Sequence, residues 1–366
     1  MAASEISGSL LVLFLYDVSD EIRLDDLRKR LGDVPVDRKA PFRHHAPEYV
    51  QFEQPPVTEP LRYSVFEQDP SIRGRVSYYS YGVVSLKLEI PFRGHWNEAI
   101  ELSARWMNDP HLEQRAAEIV RQHLEPVTGV LVNPYRERLT EDYFIFHLCE
   151  IASDTGRTWT AARLLEECGD FIAQIVRGER ATFSAAERGE ILGSRMSYYD
   201  TDLLVAGWTA ALIYDTLEGA APTIQLLEYA NTQLLEFRHY DAVLTRLLAG
   251  VYRSLEKGAG LLGHWRMARK AGRFNTIRLE VRELTETVDN SIKFLSDMFA
   301  ARLYRMAASK IGVPDYRGLV EQKLESAGEL YSFMMDQFHQ GRAFLLELMV
   351  VIILVIELVH LFRGGF

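Results

Sequence analysis

Apolar positions change their period along this chain, and the changes mark its elements. Residues 8–16 (GSLLVLFLY) are an apolar run of strand length, while Asp20–Leu31 places Ile22, Leu24, Leu27 and Leu31 at helical spacing. A stretch with several prolines follows from Pro35 to Pro60, with a short strand expected at Glu48–Phe52. Arg73–Pro91 (RGRVSYYSYGVVSLKLEIP) is rich in β-branched and aromatic residues; it reads as strand, bulged or bent at Gly82 and ended by Pro91. From Trp96 the period becomes helical, through Ala99, Leu102 and Trp106 and, after Asn108-Asp109-Pro110, through Leu112, Ala116, Ile119, Val120 and Leu124. Tyr143–Ile151 reads as one more strand and Ala161–Arg177 as a helix, whereas Asp202–Tyr214 is apolar throughout and fits a strand pair or a buried helix.

The remainder is helical. Pro222–Leu255 gathers Leu226, Leu227, Leu234, Leu235, Leu244 and Leu248 on one side, and a stripe from Ile277 to Met306 steps by threes and fours. Gly312-Val313-Pro314-Asp315 is the expected turn, after which Val320, Leu324, Ala327 and Tyr331 resume the pattern. It continues without a further proline into Phe344–Phe362 (FLLELMVVIILVIELVHLF). That run has the length a helix needs to cross a bilayer, about 20 residues. It holds two acids, Glu347 and Glu357, each costing roughly 2.5–3.5 kcal/mol near a bilayer centre, and both are assigned here to pairing between helices. The expected fold is α+β: a small N-terminal α/β sandwich over residues 1–92, a mainly helical region over 93–221, a helical hairpin over 222–342 and a transmembrane helix over 343–362.

Composition narrows the class of protein. The chain has 366 residues, 48% hydrophobic and 25% charged, as expected of a folded globular protein. A net charge of −10 argues against a surface given over to nucleic acid, while leaving room for a local basic patch. Two cysteines, Cys149 and Cys168, supply neither a disulfide framework nor a zinc site. The apolar run Leu10–Tyr16 has no preceding Lys or Arg, which makes it a strand and not a signal peptide. A membrane would then be reached by the tail, with the bulk of the chain on the cytoplasmic side of a cell inner membrane.

Catalytic motifs are absent: the sequence has no GxxxxGK[ST], strand-linked GxGxxG, HExxH or GxSxG. His44-His45 with Glu48 has the look of a polar loop more than a metal site, and no cofactor or metal is expected. The densest polar cluster lies in LLEYANTQLLEFRHYD, where Glu228, Asn231 and Arg238 share a helical stripe. A buried network setting helix register is the leading reading, with an exposed face or a Glu228 base beside Arg238 as alternatives. A basic run, Arg266, Arg269, Lys270, Arg273, Arg278 and Arg282, interleaved with Trp265 and Phe274, suits a solvated connection, an anionic lipid surface or RNA.

Two segments carry a family resemblance. Ser80-Tyr81-Gly82-Val83-Val84 and the closing pattern from Lys323-Leu324 through Leu346-Glu347-Leu348 to Ile356-Glu357 resemble the "required for meiotic nuclear division" family. That resemblance implies one C-terminal membrane helix, no established catalytic activity, and a tethering or assembly role like that of mitochondrial members that support translation at the inner membrane. The functional expectation is a membrane-anchored, non-enzymatic scaffold with lipid, a second copy or a membrane protein as partner, and the ribosome or RNA as a weaker one. The rivals are a metal-dependent hydrolase or nuclease built on an acidic cluster, and a soluble oligomer that buries its C-terminal helix.

Overall fold

The computed structural model describes residues 5–32, 55–61, 71–152, 159–256, 276–282, 285 and 298–363, without the side chains of 254–256, 331, 333–348 and 361–363. Two compact units result: residues 1–239 with 286–316, and residues 240–285 with 317–366.

The first unit is built on an eight-stranded sheet. Its strands are β1 (Glu5–Asp17), β3 (Val57–Pro60), β4 (Arg73–Tyr78), β5 (Val83–His95), β7 (Thr140–Ile151), β8 (Arg195–Met196), β9 (Leu203–Ala206) and β10 (Ala210–Tyr214). The spatial order is β3-β4-β5-β1-β7-β10-β9-β8. β7 and β10 run parallel and the other neighbours antiparallel. β2 (Glu21–Ile22) and β6 (Leu131–Val132) form a separate two-stranded ribbon. The sheet is continuous across position 92, the expected domain boundary, because β1 pairs with β5 on one side and β7 on the other.

Helices cover both faces. On the first face, α1 (Leu24–Leu31), α2 (Trp96–Met107), α3 (Leu112–Leu124), α4 (Ala161–Arg177) and α5 (Ala185–Gly193) bury Val12, Phe14, Leu86, Leu88, Phe144 and Phe146 against Ile100, Ile119, Leu164 and Ile172. Across the second face runs α6 (Leu217–Glu256), whose residues up to His239 belong to this unit. A strand buried on both sides has no polar face to show, which is why β1 reads as a continuous apolar run.

The α4 helix begins at Ala161 and ends at Arg177 as its pattern predicts; Thr160 accepts from the Arg163 N–H at 3.3 Å and Gly178 closes the helix with φ of +64°. Asp202–Tyr214 resolves into the β9–β10 hairpin. Of the two readings of Gly82 the bend holds: it ends a tight turn between β4 and β5, with φ of +91° and its N–H donating to the Tyr79 carbonyl at 3.2 Å. One expectation is corrected. Pro91 does not end β5, which runs on to His95; beyond Glu89 the strand has β1 alone as neighbour, so a residue without an N–H is tolerated.

α7 (Met298–Ile311) returns to the first unit, and Gly312, with φ of +96°, turns the chain into α8 (Val313–Arg363). The described part of the second unit is helical: residues 240–256 of α6, 276–282, and α8 from Arg317. Leu244, Val251, Ile277, Val281, Val320 and Ala327 are buried there, and Lys323 Nζ meets Asp241 Oδ1 at 2.5 Å and Thr245 Oγ1 at 2.6 Å. The molecule is thus α+β, a mixed sheet with helices followed by a helical region. Among the described residues no helix is long and apolar enough to cross a membrane. Of the run expected to span 343–362, side chains are described from Met349 to His360, about 18 Å of helix against roughly 30 Å of hydrocarbon.

Candidate functional site

The second face of the sheet is polar on one side, and that polarity follows from strand alternation. In β5, Val84, Leu86, Leu88 and Ile90 point into the first core, so Ser85, Lys87 and Glu89 must point the other way. Register places Arg75 beside Lys87, Ser77 beside Ser85 and Arg73 beside Glu89 from β4. On the β1 side the same rows hold Leu13, Leu15 and Leu11. A basic and hydroxylic patch therefore adjoins an apolar one under the same helix.

Glu228 of α6 descends onto this patch. Its carboxylate accepts from Ser85 Oγ at 2.7 Å and from Lys87 Nζ, and the two charged side chains are only 4% and 7% exposed. Burial pushes the Glu228 carboxyl up, but the Lys87 charge and hydrogen bond, the Ser85 hydroxyl and Arg75 outweigh it and hold it below the usual carboxylate range. Burial first, then the Glu228 charge, raises the Tyr79 hydroxyl far above its ordinary value, so Tyr79 stays a neutral donor to that carboxylate. One helical turn on, Thr232 Oγ1 lies 2.8 Å from the Tyr81 hydroxyl, fastening the β4–β5 turn to α6. Engaged with a buried carboxylate, Lys87 serves here as an electrostatic partner to Glu228.

A second polar station stands at the far end of β1. His239 Nδ1 lies 2.5 Å from Asp17 Oδ2, and the Tyr135 ring stacks on the imidazole at 4.8 Å. Burial raises the Asp17 carboxyl above its usual range against the pull of His239. Asp20 accepts from the Tyr135 hydroxyl at 2.5 Å and from Asn133 Nδ2 at 2.8 Å. Arg238 pairs with Glu141 and donates to the Thr140 carbonyl at 3.2 Å.

The predicted stripe of Glu228, Asn231 and Arg238 therefore does not close on itself. Glu228 binds Lys87, Asn231 Nδ2 donates to the Leu227 carbonyl at 2.8 Å, and Arg238 binds β7. Their sequence spacing made one face visible; the partners of Glu228 and Arg238 lie more than 90 positions away in sequence. Lys87, Ser85, Tyr79 and Arg75 were not foreseen, although a lysine and a serine alternating with Val84, Leu86 and Leu88 is the signal that marks them. Arg278 and Arg282 are exposed, whereas Arg266, Arg269, Lys270 and Arg273 lie outside the described residues, as do His44, His45 and Glu48. Glu357 is exposed on α8; the side chain of Glu347 is outside the description. Among the described residues, no group of three His, Cys, Asp or Glu side chains is placed to hold a metal ion.

Residues 7–220, from β1 into the first turn of α6, match the family described as "Uncharacterized protein MJ0711, N-terminal domain". The chain belongs to that family. It is 20% identical over 196 residues to "Uncharacterized protein MJ0711" of Methanocaldococcus jannaschii, a match covering 53% of this chain and 60% of that protein. No solved structure matches the chain. Membership overturns the resemblance drawn from Ser80–Val84 and the tail. The tail lies beyond the matched span, and Ser80–Val84 is a hairpin turn whose Tyr-Gly pair answers a local backbone demand. Of the candidate site, Tyr79, Ser85 and Lys87 fall within the family domain, and Glu228 is supplied from beyond it.

Proposed function

We propose that this protein is a membrane-associated, non-enzymatic scaffold that holds its sheet domain at a lipid surface through the C-terminal part of α8. One observation carries the reading. Met349 to Ile356, Leu358 and Val359 are each about half exposed, on consecutive positions that go all the way round the helix. A helix apolar on every side is suited to lipid or to the interior of a large assembly, not to water. Burying the exposed half of ten such side chains is worth roughly 8–15 kcal/mol, half of the 1.5–3 kcal/mol each that full burial gives. Lipid is favoured as the occupant because the apolar sequence continues on both sides, from Phe344 to Phe362, about 28 Å of helix at 1.5 Å per residue. Glu347 and Glu357 then act in pairing between helices, within a homo-oligomer or with a membrane partner, and the sheet domain stays on the cytoplasmic side.

The test is membrane fractionation with an alkaline carbonate wash, comparing the full chain with one ending at Gln340. The proposal expects the full chain in the pellet and the shortened one in the supernatant. Release of both would instead assign the tail to the core of a soluble oligomer.

A further inference from the structure

Beneath the first turns of α6, on the polar side of the second sheet face, lies a cavity of about 460 Å³, within the range of small-molecule sites. Its floor is formed by the buried side chains Ser9, Ser77, Lys87 and His147, and its rim by the exposed Arg73 and Arg75. The lining is unusual for this chain in its charge. Against a whole-chain net charge of −10, the cavity gathers three cations, Arg73, Arg75 and Lys87, and two acids, Glu89 and Glu228. Glu228 is taken up by Lys87 and Ser85, so at the mouth Arg73 and Arg75 stand against one exposed carboxylate, Glu89 beside Arg73, and the rim is net positive.

We propose that this cavity binds a small molecule through its phosphate group. Arg73 and Arg75 alternate along β4 onto the same side, about 7 Å apart along the strand, and two guanidinium forks at that spacing suit a phosphate or diphosphate. Below them Ser77 Oγ lies 3.0 Å from Thr58 Oγ1, a hydroxyl pair able to donate to the rest of the ligand. His147 Nε2 donates to the Asp215 carbonyl at 3.0 Å, burial holds its pKa below the usual value, and Nδ1 meets Cys149 Sγ at 3.8 Å. The floor is thus polar without being strongly charged. Charge recognition belongs to the rim and shape recognition to the floor.

Calorimetric titration of the detergent-solubilised full chain with pyrophosphate tests this, beside Arg73→Gln, Arg75→Gln and, as a distant control, Arg180→Gln, whose side chain pairs with Glu101 on the other face. Expected are saturable binding to the parent chain, at least a tenfold loss in each rim variant, no loss in the control, and affinity that falls as salt rises. No saturable binding, undiminished binding in both rim variants, or an equal loss in the control would overturn it. Both rim side chains are exposed, and if one variant does not fold the other still decides. Carbonate extraction has no bearing on the outcome, so this site and the membrane reading stand or fall separately.

Discussion

Removing Glu228 from the Lys87–Glu228 pair should cost far more than removing both members, and removing Lys87 alone somewhat more. At 7% and 4% exposure neither charge has much water to fall back on, so a charge left alone meets a desolvation cost close to the full one. Glu228→Leu leaves the Lys87 ammonium buried, at about 3–5 kcal/mol, and strips the Ser85 and Tyr79 hydroxyls of their acceptor, at about 1 kcal/mol each. Lys87→Met leaves a carboxylate still held by those two hydroxyls and by the Arg75 charge, which places its cost near 3 kcal/mol. In the double variant no charge is stranded and only the hydroxyl losses remain, about 2 kcal/mol. The single changes therefore sum to roughly 8–10 kcal/mol and the pair together costs about 2, a coupling well above that of ordinary neighbours. Urea unfolding followed through the buried Trp96 and Trp159 would measure it. A double variant as unstable as the sum of the singles would refute the claim that these groups serve each other.

Three further outcomes follow from the same geometry. Glu228 has a depressed folded pKa, so the stability it contributes is fully present above its unfolded value near 4.5 and is lost as pH falls through the lower folded one; acid unfolding should be shallower in the Lys87→Met/Glu228→Leu chain, and an unchanged acid limb would count against the pairing. Gly82→Ala should destabilise by about 3 kcal/mol or more, since φ is +91° and an added Cβ would stand 1.7 Å from the Ser19 carbonyl oxygen; a loss below about 1 kcal/mol in urea would show the turn to be misdrawn. Glu357→Leu should leave carbonate-resistant membrane binding intact while weakening oligomers on detergent sizing, and unchanged oligomers would remove the acid from the pairing role.

Local elements were legible wherever one segment's pattern is answered by its own neighbours. α4 can be read from its ends, because Thr160 caps the helix and Gly178 closes it, and β1 from its uniform apolar run. β9 and β10 were ambiguous for a physical reason: a hairpin buried in a sheet and a buried helix both lack a polar face, so period carries no information. The site was half legible. Glu228 stands out on its own helix, but the face of Ser85, Lys87 and Glu89 reads as the wet side of a half-buried strand. Only α6, some 140 positions later, buries Ser85 and Lys87, and strand alternation cannot report a cover that arrives from so far along the chain. The membership of the chain in its family was not legible from the tail because the matched residues lie elsewhere.

The sheet's two margins constrain how copies of this protein can meet. One margin is β3, four residues long and closed by Pro60, and the other is β8, only two residues long. Neither offers the row of free backbone donors and acceptors that lets one sheet extend into another. Strand addition at the described margins would have four residues of β3 or two of β8 to pair with, and the unpaired side of β5 beyond Glu89 is interrupted by Pro91, which has no N–H to give. The described sheet thus keeps its long apolar strands at the centre and its shortest strands at the margins, where an exposed edge would be the greatest hazard.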